Sequence, residues 1–124
     1  MRLMRVQGHS MAPTLTEGEL VFVRASHTAS LRRGDIVAVR PAALGGQALV
    51  KRLVGLPYQR VELEGRQWQL GAGQFFLLGD QPNHSVDSRV LGPVTHEELI
   101  GPVVVRVWPW KVLSRSNNPG GADG

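Results

Sequence analysis

Short runs of apolar residues, separated by glycine, proline and small polar residues, make up most of the chain. Runs of this length with period-two alternation are typical of β-strands, and almost no stretch has the apolar spacing of an amphipathic helix. The pattern therefore predicts an all-β fold, either a barrel or a folded antiparallel sheet. The predicted strands are 20–24, 36–40, 48–54, 60–63, 67–70, 74–78 and 103–108.

Turn residues predict how some of these strands are connected. The sequence Glu64-Gly65-Arg66 separates two alternating runs and predicts a tight hairpin. Residues 44–47 contain two adjacent glycines and predict a hairpin-like connection into the strand 48–54. Residues 95–98 match a capping box, which predicts at most one short helical turn.

The composition is that of one globular domain. The chain has 124 residues, of which 42% are hydrophobic and 19% charged. We expect a folded domain at 1–113 and a disordered tail at 114–124, where small polar residues and glycine dominate.

Residue counts exclude several kinds of chemistry. The absence of cysteine excludes disulfides, thiolate metal sites and a cysteine nucleophile. The four histidines lack clustered spacing, so no metal site or other cofactor is expected. No apolar run approaches the roughly 20 residues that cross a bilayer, and the first residues lack a signal-peptide core. We therefore expect a cytoplasmic or peripheral membrane location.

The chain is basic, with a formal net charge of +4. A basic balance is compatible with nucleic acid or anionic lipid as a partner. The arginines are scattered among apolar residues, however, which favours an ordinary solvated surface. Only two of the 14 basic residues are lysines, Lys51 and Lys111.

Lys51 stands out because it lies inside the apolar run 48–54. Leu49 and Leu53 share its face of the predicted strand, whereas Arg52 points to the other face and is expected to be solvated or ion-paired. If the shared face is the core, Lys51 is desolvated and can lose its proton, which a guanidinium cannot do. The alternative is a lysine that extends to solvent at a sheet edge. A catalytic base would need an apolar surrounding and no adjacent carboxylate.

Ser10 is the candidate nucleophile. Gly8 and Pro13 flank it and predict an extended, sharply shaped segment and no helix, which excludes the strand-turn-helix elbow of other hydrolases. A Ser10–His84–Asp87 triad is conceivable but disfavoured, because His84 lies in a loop of turn residues. Residues 85–89 by themselves form an ordinary polar loop.

Four segments in order resemble the sequence boxes of the type I signal peptidase family, the membrane-linked Ser/Lys proteases that remove leader sequences. The resemblance extends from about residue 6 to residue 110, nearly the whole chain. The segments are Ser10–Leu15, Gly34–Val37, Val50–Gly55, and Gly79–Gln81 continuing through Ser85–Arg89 to Gly92–Val94.

The resemblance implies a role for each matched residue. Ser10 would be the nucleophile, its backbone N–H would contribute to the oxyanion hole, and Lys51 would be the general base. Ser85 would orient the Lys51 amine, and Asp87 with Arg89 would form a supporting ion pair. The implied fold is built of coiled antiparallel β-sheets. The partner would be a precursor protein bound as an extended strand, with small residues at the first and third positions before the cut, the A-x-A pattern.

Three departures from the family pattern affect the expected function. Gly8 replaces the hydroxyl-bearing oxyanion donor of some members, so the second donor is undetermined, and Gln81 replaces the usual asparagine. No apolar anchor precedes Ser10 in this sequence. An anchorless member could be a soluble maturation protease for one precursor, such as that of nickel superoxide dismutase, or could contact the membrane peripherally.

Two rival functions remain open. A self-cleaving repressor-type domain shares the Ser/Lys pair, but no DNA-binding segment or Ala-Gly cleavage site precedes Ser10. A non-catalytic basic β-barrel that binds nucleic acid would need exposed aromatic residues among its arginines. Trp68, Trp108 and Trp110 come nearest to that requirement.

Overall fold

The computed structural model describes residues 2–25, 28–81, 83, 86–108 and 110–113. In this part of the chain the regular structure is almost entirely strand, with one helical turn, α1, at Ser88–Leu91 and two 3₁₀ turns at Ala42–Leu44 and His96–Glu98. The strands are β1 Arg2–Arg5, β2 Leu20–Val23, β3 Ile36–Val39, β4 Leu49–Gly55, β5 Arg60–Leu63, β6 Arg66–Gln69, β7 Gln74–Leu78, β8 Val94–Thr95, β9 Leu99–Trp108 and β10 Trp110–Val112.

One antiparallel sheet dominates the fold and curls into a half-barrel. Its strand order is β1-β2-β9-β3-β4-β7-β8, and β10 pairs with β9. Strands β5 and β6 form a separate hairpin. The long strand β9 pairs with both β2 and β3, and register shifts along these pairings allow the sheet to curl. The predicted all-β class of coiled antiparallel sheets is confirmed.

Among the described residues, the buried apolar side chains form three clusters, each of which supports a different part of the molecule. The first includes Met11 and Leu15, from the segment that follows Ser10. The second lies along β3, β4 and β7 and includes Leu53 and Leu77. The third packs the β5–β6 hairpin against Phe76. The first cluster therefore packs beneath the segment that contains Ser10, and the second packs along β4, the strand that contains Lys51.

The turn predictions are confirmed where the structure describes them. Glu64 and Gly65 connect β5 to β6 with φ values of 53° and 73°, the left-handed pair that a tight hairpin turn requires. The capping box is present, since Thr95 and Glu98 exchange side-chain and backbone hydrogen bonds at the start of the turn His96–Glu98. The connection 44–47 joins β3 and β4, which pair antiparallel as expected.

Several elements were not predicted from the sequence. Strands β1, β8 and β10 and the helical turn α1 are additional, and β9 begins at Leu99 instead of residue 103. The predicted tail 114–124 lies outside the described residues, as do His84 and Ser85. The division into a domain at 1–113 and a tail remains a prediction.

Candidate active site

Ser10 begins a tight turn over residues 10–14. The N–H of Leu15 donates to the carbonyl oxygen of Met11 at 2.9 Å, and the side chains of these two residues are buried in the first cluster. The expected extended segment is therefore wrong, because burying both side chains on one side requires the backbone to curl between them. The expected absence of a helix at this position is correct.

A neighbouring loop fixes the backbone of Ser10. The N–H of Gln81 donates to the carbonyl oxygen of Ser10 at 2.7 Å. The hydroxyl of Thr14 donates to Asp80 Oδ2, also at 2.7 Å. Ser10 is half-buried and faces a cleft. The turn is thus fixed by the apolar packing of Met11 and Leu15 and by hydrogen bonds to Asp80 and Gln81, which follow β7.

Lys51 lies on β4 and is only 3% exposed. Its strand position pairs with Val37 of β3. The side chain borders a small cavity whose lining includes Leu49, Leu77 and Leu91. The alternative of an amine that extends to solvent is wrong, since this residue is almost fully buried.

Burial lowers the pKa of Lys51 from 10.5 to about 8. The carboxylate of Asp87 acts in the opposite direction and raises this pKa, while the nearby guanidinium of Arg89 lowers it. The requirement that a catalytic lysine have no carboxylate beside it is therefore not met at this site. Desolvation nevertheless prevails, so an appreciable fraction of the amine is neutral near pH 8.

Asp87 and Arg89 form a charge-assisted pair, as the family resemblance implied. The Nε and Nη2 atoms of Arg89 donate to the two carboxylate oxygens of Asp87, each at 3.0 Å. Asp87 also accepts the N–H of Gly79 at 3.1 Å and that of Arg89 at 3.0 Å, and its side chain is fully buried. It thereby caps the N-terminus of α1. The interpretation of 85–89 as an ordinary polar loop is therefore wrong for residues 87–89, which form a largely buried ion pair and the start of α1.

A second buried ion pair was not predicted as part of the site. Arg52 donates through Nε and Nη2 to Asp80 at 3.1 and 2.6 Å, and both side chains are almost fully buried. Its Nη1 donates to the carbonyl oxygen of Gly34 at 3.0 Å. Of the two states expected for Arg52, solvated or ion-paired, the ion-paired one is correct. The position of Asp80 in the last sequence box was the available signal.

Ser10 and Lys51 both line one cleft of about 460 Å³. The N–H of Gly8, at the edge of this cleft, donates to Glu17 Oε2 at 3.0 Å. Other parts of the lining come from Gln7, His9, Leu44, Gln47, Leu49 and Val86. The structure thus brings the candidate nucleophile and the candidate base, which are distant in sequence, to one accessible surface.

Two other sequence predictions concern metals and membranes. Among the described residues, no three histidine or acidic side chains are grouped so that they could hold a metal ion. Within the same part of the chain, no helix has the length and apolar character needed to span a bilayer. His84 of the disfavoured triad and Ser85, which the resemblance implies would orient the Lys51 amine, both lie outside the described residues, so the triad stays a disfavoured alternative and the role of Ser85 stays a prediction.

Comparison with known proteins identifies the class of this molecule. The family model described as signal peptidase, peptidase S26, matches residues 1–68 and 63–108. The chain belongs to this family, and it is a serine endopeptidase of the signal peptidase type.

Individual relatives come from bacteria and mitochondria. The chain is 32% identical to signal peptidase I of Leptolyngbya laminosa, over 92% of this chain and 72% of the relative. It is 33% identical to mitochondrial inner membrane protease subunit 1 of Schizosaccharomyces pombe, over 82% of this chain and 70% of the relative. Signal peptidase IB of Staphylococcus aureus is 26% identical over 92% of this chain and 81% of its own length.

Proposed function

We propose that this protein removes leader peptides, or one specific pro-segment, from precursor proteins, with Ser10 as nucleophile and Lys51 as general base. The observation that carries the proposal is a serine and a buried lysine with a pKa of about 8 on the same cleft. Membership of the signal peptidase family supports the same chemistry.

The proposed reaction proceeds through an acyl-enzyme. Neutral Lys51 accepts the proton of the Ser10 hydroxyl as the oxygen attacks the scissile carbonyl carbon. The backbone N–H of Ser10 stabilises the negative oxygen of the tetrahedral intermediate. Protonated Lys51 then gives its proton to the leaving amine, and the carbon–nitrogen bond breaks. Water, deprotonated by Lys51, hydrolyses the ester and regenerates Ser10.

The neighbours of Lys51 have supporting roles in this proposal. Asp87 would stabilise the positive charge that Lys51 acquires during the reaction, and Arg89 opposes this effect by lowering the pKa of Lys51, so that the resting amine can be neutral. Ser85 would orient the amine, as the family resemblance implies. The first oxyanion donor is the Ser10 N–H, and the N–H of Gly8 is already engaged by Glu17.

The edge of β4 offers a place for an extended substrate. Strand β3 pairs with β4 over 49–52, whereas the pairing of β7 with β4 begins at Arg52. On the side opposite β3, residues 49 and 50 therefore precede the region that β7 covers, and Leu49 lines the cleft. A precursor segment can add there as a strand, and the family resemblance implies small residues in that segment before the cut, in the A-x-A pattern.

One of the aromatic residues that the rival function of nucleic-acid binding would use is partly covered, although Trp108 is 65% exposed. Trp68 is half-buried, its ring lies 4.6 Å from that of Phe76, and the Arg66 guanidinium lies 4.5 Å from its centroid. A ring covered on these sides does not serve as a platform for stacking bases.

The test is cleavage of a panel of leader-bearing precursors, including that of nickel superoxide dismutase, followed by mass spectrometry. We expect the wild-type protein to cut at least one precursor after a small residue, and Ser10→Ala and Lys51→Met to lose cleavage by at least a factor of roughly 10³. Ser30→Ala, at an exposed serine outside the cleft, is the matched control. Full activity in either variant would remove that residue from the mechanism.

A further inference from the structure

The cleft has an acidic side chain that the proposed mechanism does not use. Glu17 is exposed and lines the cleft together with Ser10 and Lys51. Among the described residues that line the cleft, only Glu17 and Lys51 carry a formal charge when histidine is neutral. The whole chain, by contrast, has a net charge of +4. A carboxylate at this position makes the cleft locally attractive to cations on an otherwise basic protein.

The carboxylate of Glu17 lies close to the reacting centre. Its Oε2 atom is 3.0 Å from the N–H nitrogen of Gly8, which is two residues before Ser10. With 3.8 Å between successive Cα atoms, this places the carboxylate within roughly 12 Å of the Ser10 Cα atom. An extended peptide covers that distance in about four residues.

We propose that Glu17 is a specificity-determining residue, which makes the cleft prefer precursors with a lysine or arginine within about four residues of the scissile bond. The inference rests on the proposed function of Ser10 and Lys51. A carboxylate retains acceptor capacity beyond the one hydrogen bond from Gly8, so a basic substrate side chain can pair with it. An acidic substrate residue at the same place would be repelled.

The experiment compares peptides that share one A-x-A cleavage sequence and differ in a single residue. Lysine, glutamine and glutamate are placed in turn at each of the four positions on either side of the cut. For the wild-type protein we expect kcat/KM to be roughly tenfold higher with lysine than with glutamate at one or two neighbouring positions. In Glu17→Gln this ratio should fall close to one, and in Glu17→Lys it should invert.

The design separates charge recognition from loop support. The amide oxygen of Glu17→Gln can still accept the Gly8 N–H, so cleavage of the all-neutral peptide should stay within about twofold of wild type. Glu62→Gln removes a charge from an exposed position on β5 outside the cleft lining and should leave the preference unchanged. An unchanged preference in Glu17→Gln, or an equal loss for every peptide, would overturn the inference.

Failure of the proposed function would look different. If the wild-type protein cut no peptide, or if Ser10→Ala cut them equally well, the proposed catalytic pair would be wrong and this inference would fall with it. If the neutral peptide were cut in a Ser10-dependent way without any charge preference, only the role of Glu17 would be refuted.

Discussion

The groups around Lys51 act on the pKa of its amine in opposite directions. Burial in the sheet and the charge of Arg89 favour the neutral form, and Asp87 favours the charged form. Such a balance suits a general base, because the resting amine can be neutral near pH 8 while the protonated amine of the intermediate still has a counter-charge. An arginine at this position could not perform the same task, since its guanidinium stays protonated.

The lowered pKa of Lys51 makes folding pH-dependent. Between pH 8 and 10.5 the unfolded chain binds more protons than the folded chain, so stability rises with pH in this range. The penalty for burying the lysine is fully present below about pH 8 and is about 3 kcal/mol.

Lys51→Met should therefore be more stable than the wild type by about 3 kcal/mol at pH 7, and the advantage should vanish towards pH 10.5. Denaturant unfolding of both proteins across this range measures the difference, and subtraction cancels the other groups that titrate there. A difference independent of pH would show that Lys51 has an ordinary pKa in the folded protein.

At the scale of elements, the helical turn α1 supports the base. Asp87 caps α1, and Arg89 in its first turn neutralises the Asp87 carboxylate. The β5–β6 hairpin holds this pair from outside, because Glu64 accepts from Arg89 Nη1 at 3.1 Å and Arg66 donates to the Arg89 carbonyl oxygen, also at 3.1 Å.

Arg89→Gln should shift the pH–rate profile to higher pH. Arg89 lowers the pKa of Lys51, so removing its charge leaves Asp87 to raise that pKa. The midpoint of kcat/KM, expected at about 8 in the wild type, should move above that value. Arg89→Lys keeps the positive charge, so its midpoint should lie closer to the wild-type value than that of Arg89→Gln. An unchanged or lower midpoint in Arg89→Gln would contradict the electrostatic role.

The sequence predicted elements whose character is local. Strand β5 alternates apolar and polar residues over its whole length and was found correctly, as was the hairpin turn at Gly65. Elements that depend on distant partners were missed. Strand β1 is short and charged and forms by pairing with β2, and α1 depends on an Asp87 side chain that also accepts the N–H of Gly79.

In the candidate site, too, the sequence predicted the residues with local signals and missed the contacts made between distant segments. Ser10 and Lys51 could be identified from their flanking residues and from the order of the sequence boxes. The proximity of Asp87 to Lys51 could not, because it results from the packing of the segment after β7 against β4. The curled turn after Ser10 likewise depends on which side chains the core accepts.

Across the whole molecule, Asp80 joins segments that are far apart in sequence. It binds Thr14 in the Ser10 turn and Arg52 on β4, and Arg52 in turn binds the carbonyl of Gly34. The sequence boxes of the family thus meet in one buried polar network, next to the hydrogen bond from Gln81 to Ser10.

Asp80→Asn should lower the free energy of unfolding by about 3 kcal/mol or more, because it leaves the charge of Arg52 buried without its counter-ion. Asp80→Leu combined with Arg52→Met should recover part of this loss. Urea unfolding at pH 7 measures both variants. A loss below about 1 kcal/mol in Asp80→Asn, typical of an exposed pair, would show that the network does not hold the fold together.

The most direct test of the proposed catalytic pair is an NMR titration of the Lys51 amine. The chain has only two lysines, so Lys111→Arg leaves Lys51 as the one labelled side chain. We expect its Nζ and Cε resonances to titrate with a pKa of about 8, matching the midpoint of the pH–rate profile. A pKa near 10.5 would contradict the account, because the amine would then be protonated at the pH where it has to accept the proton of Ser10.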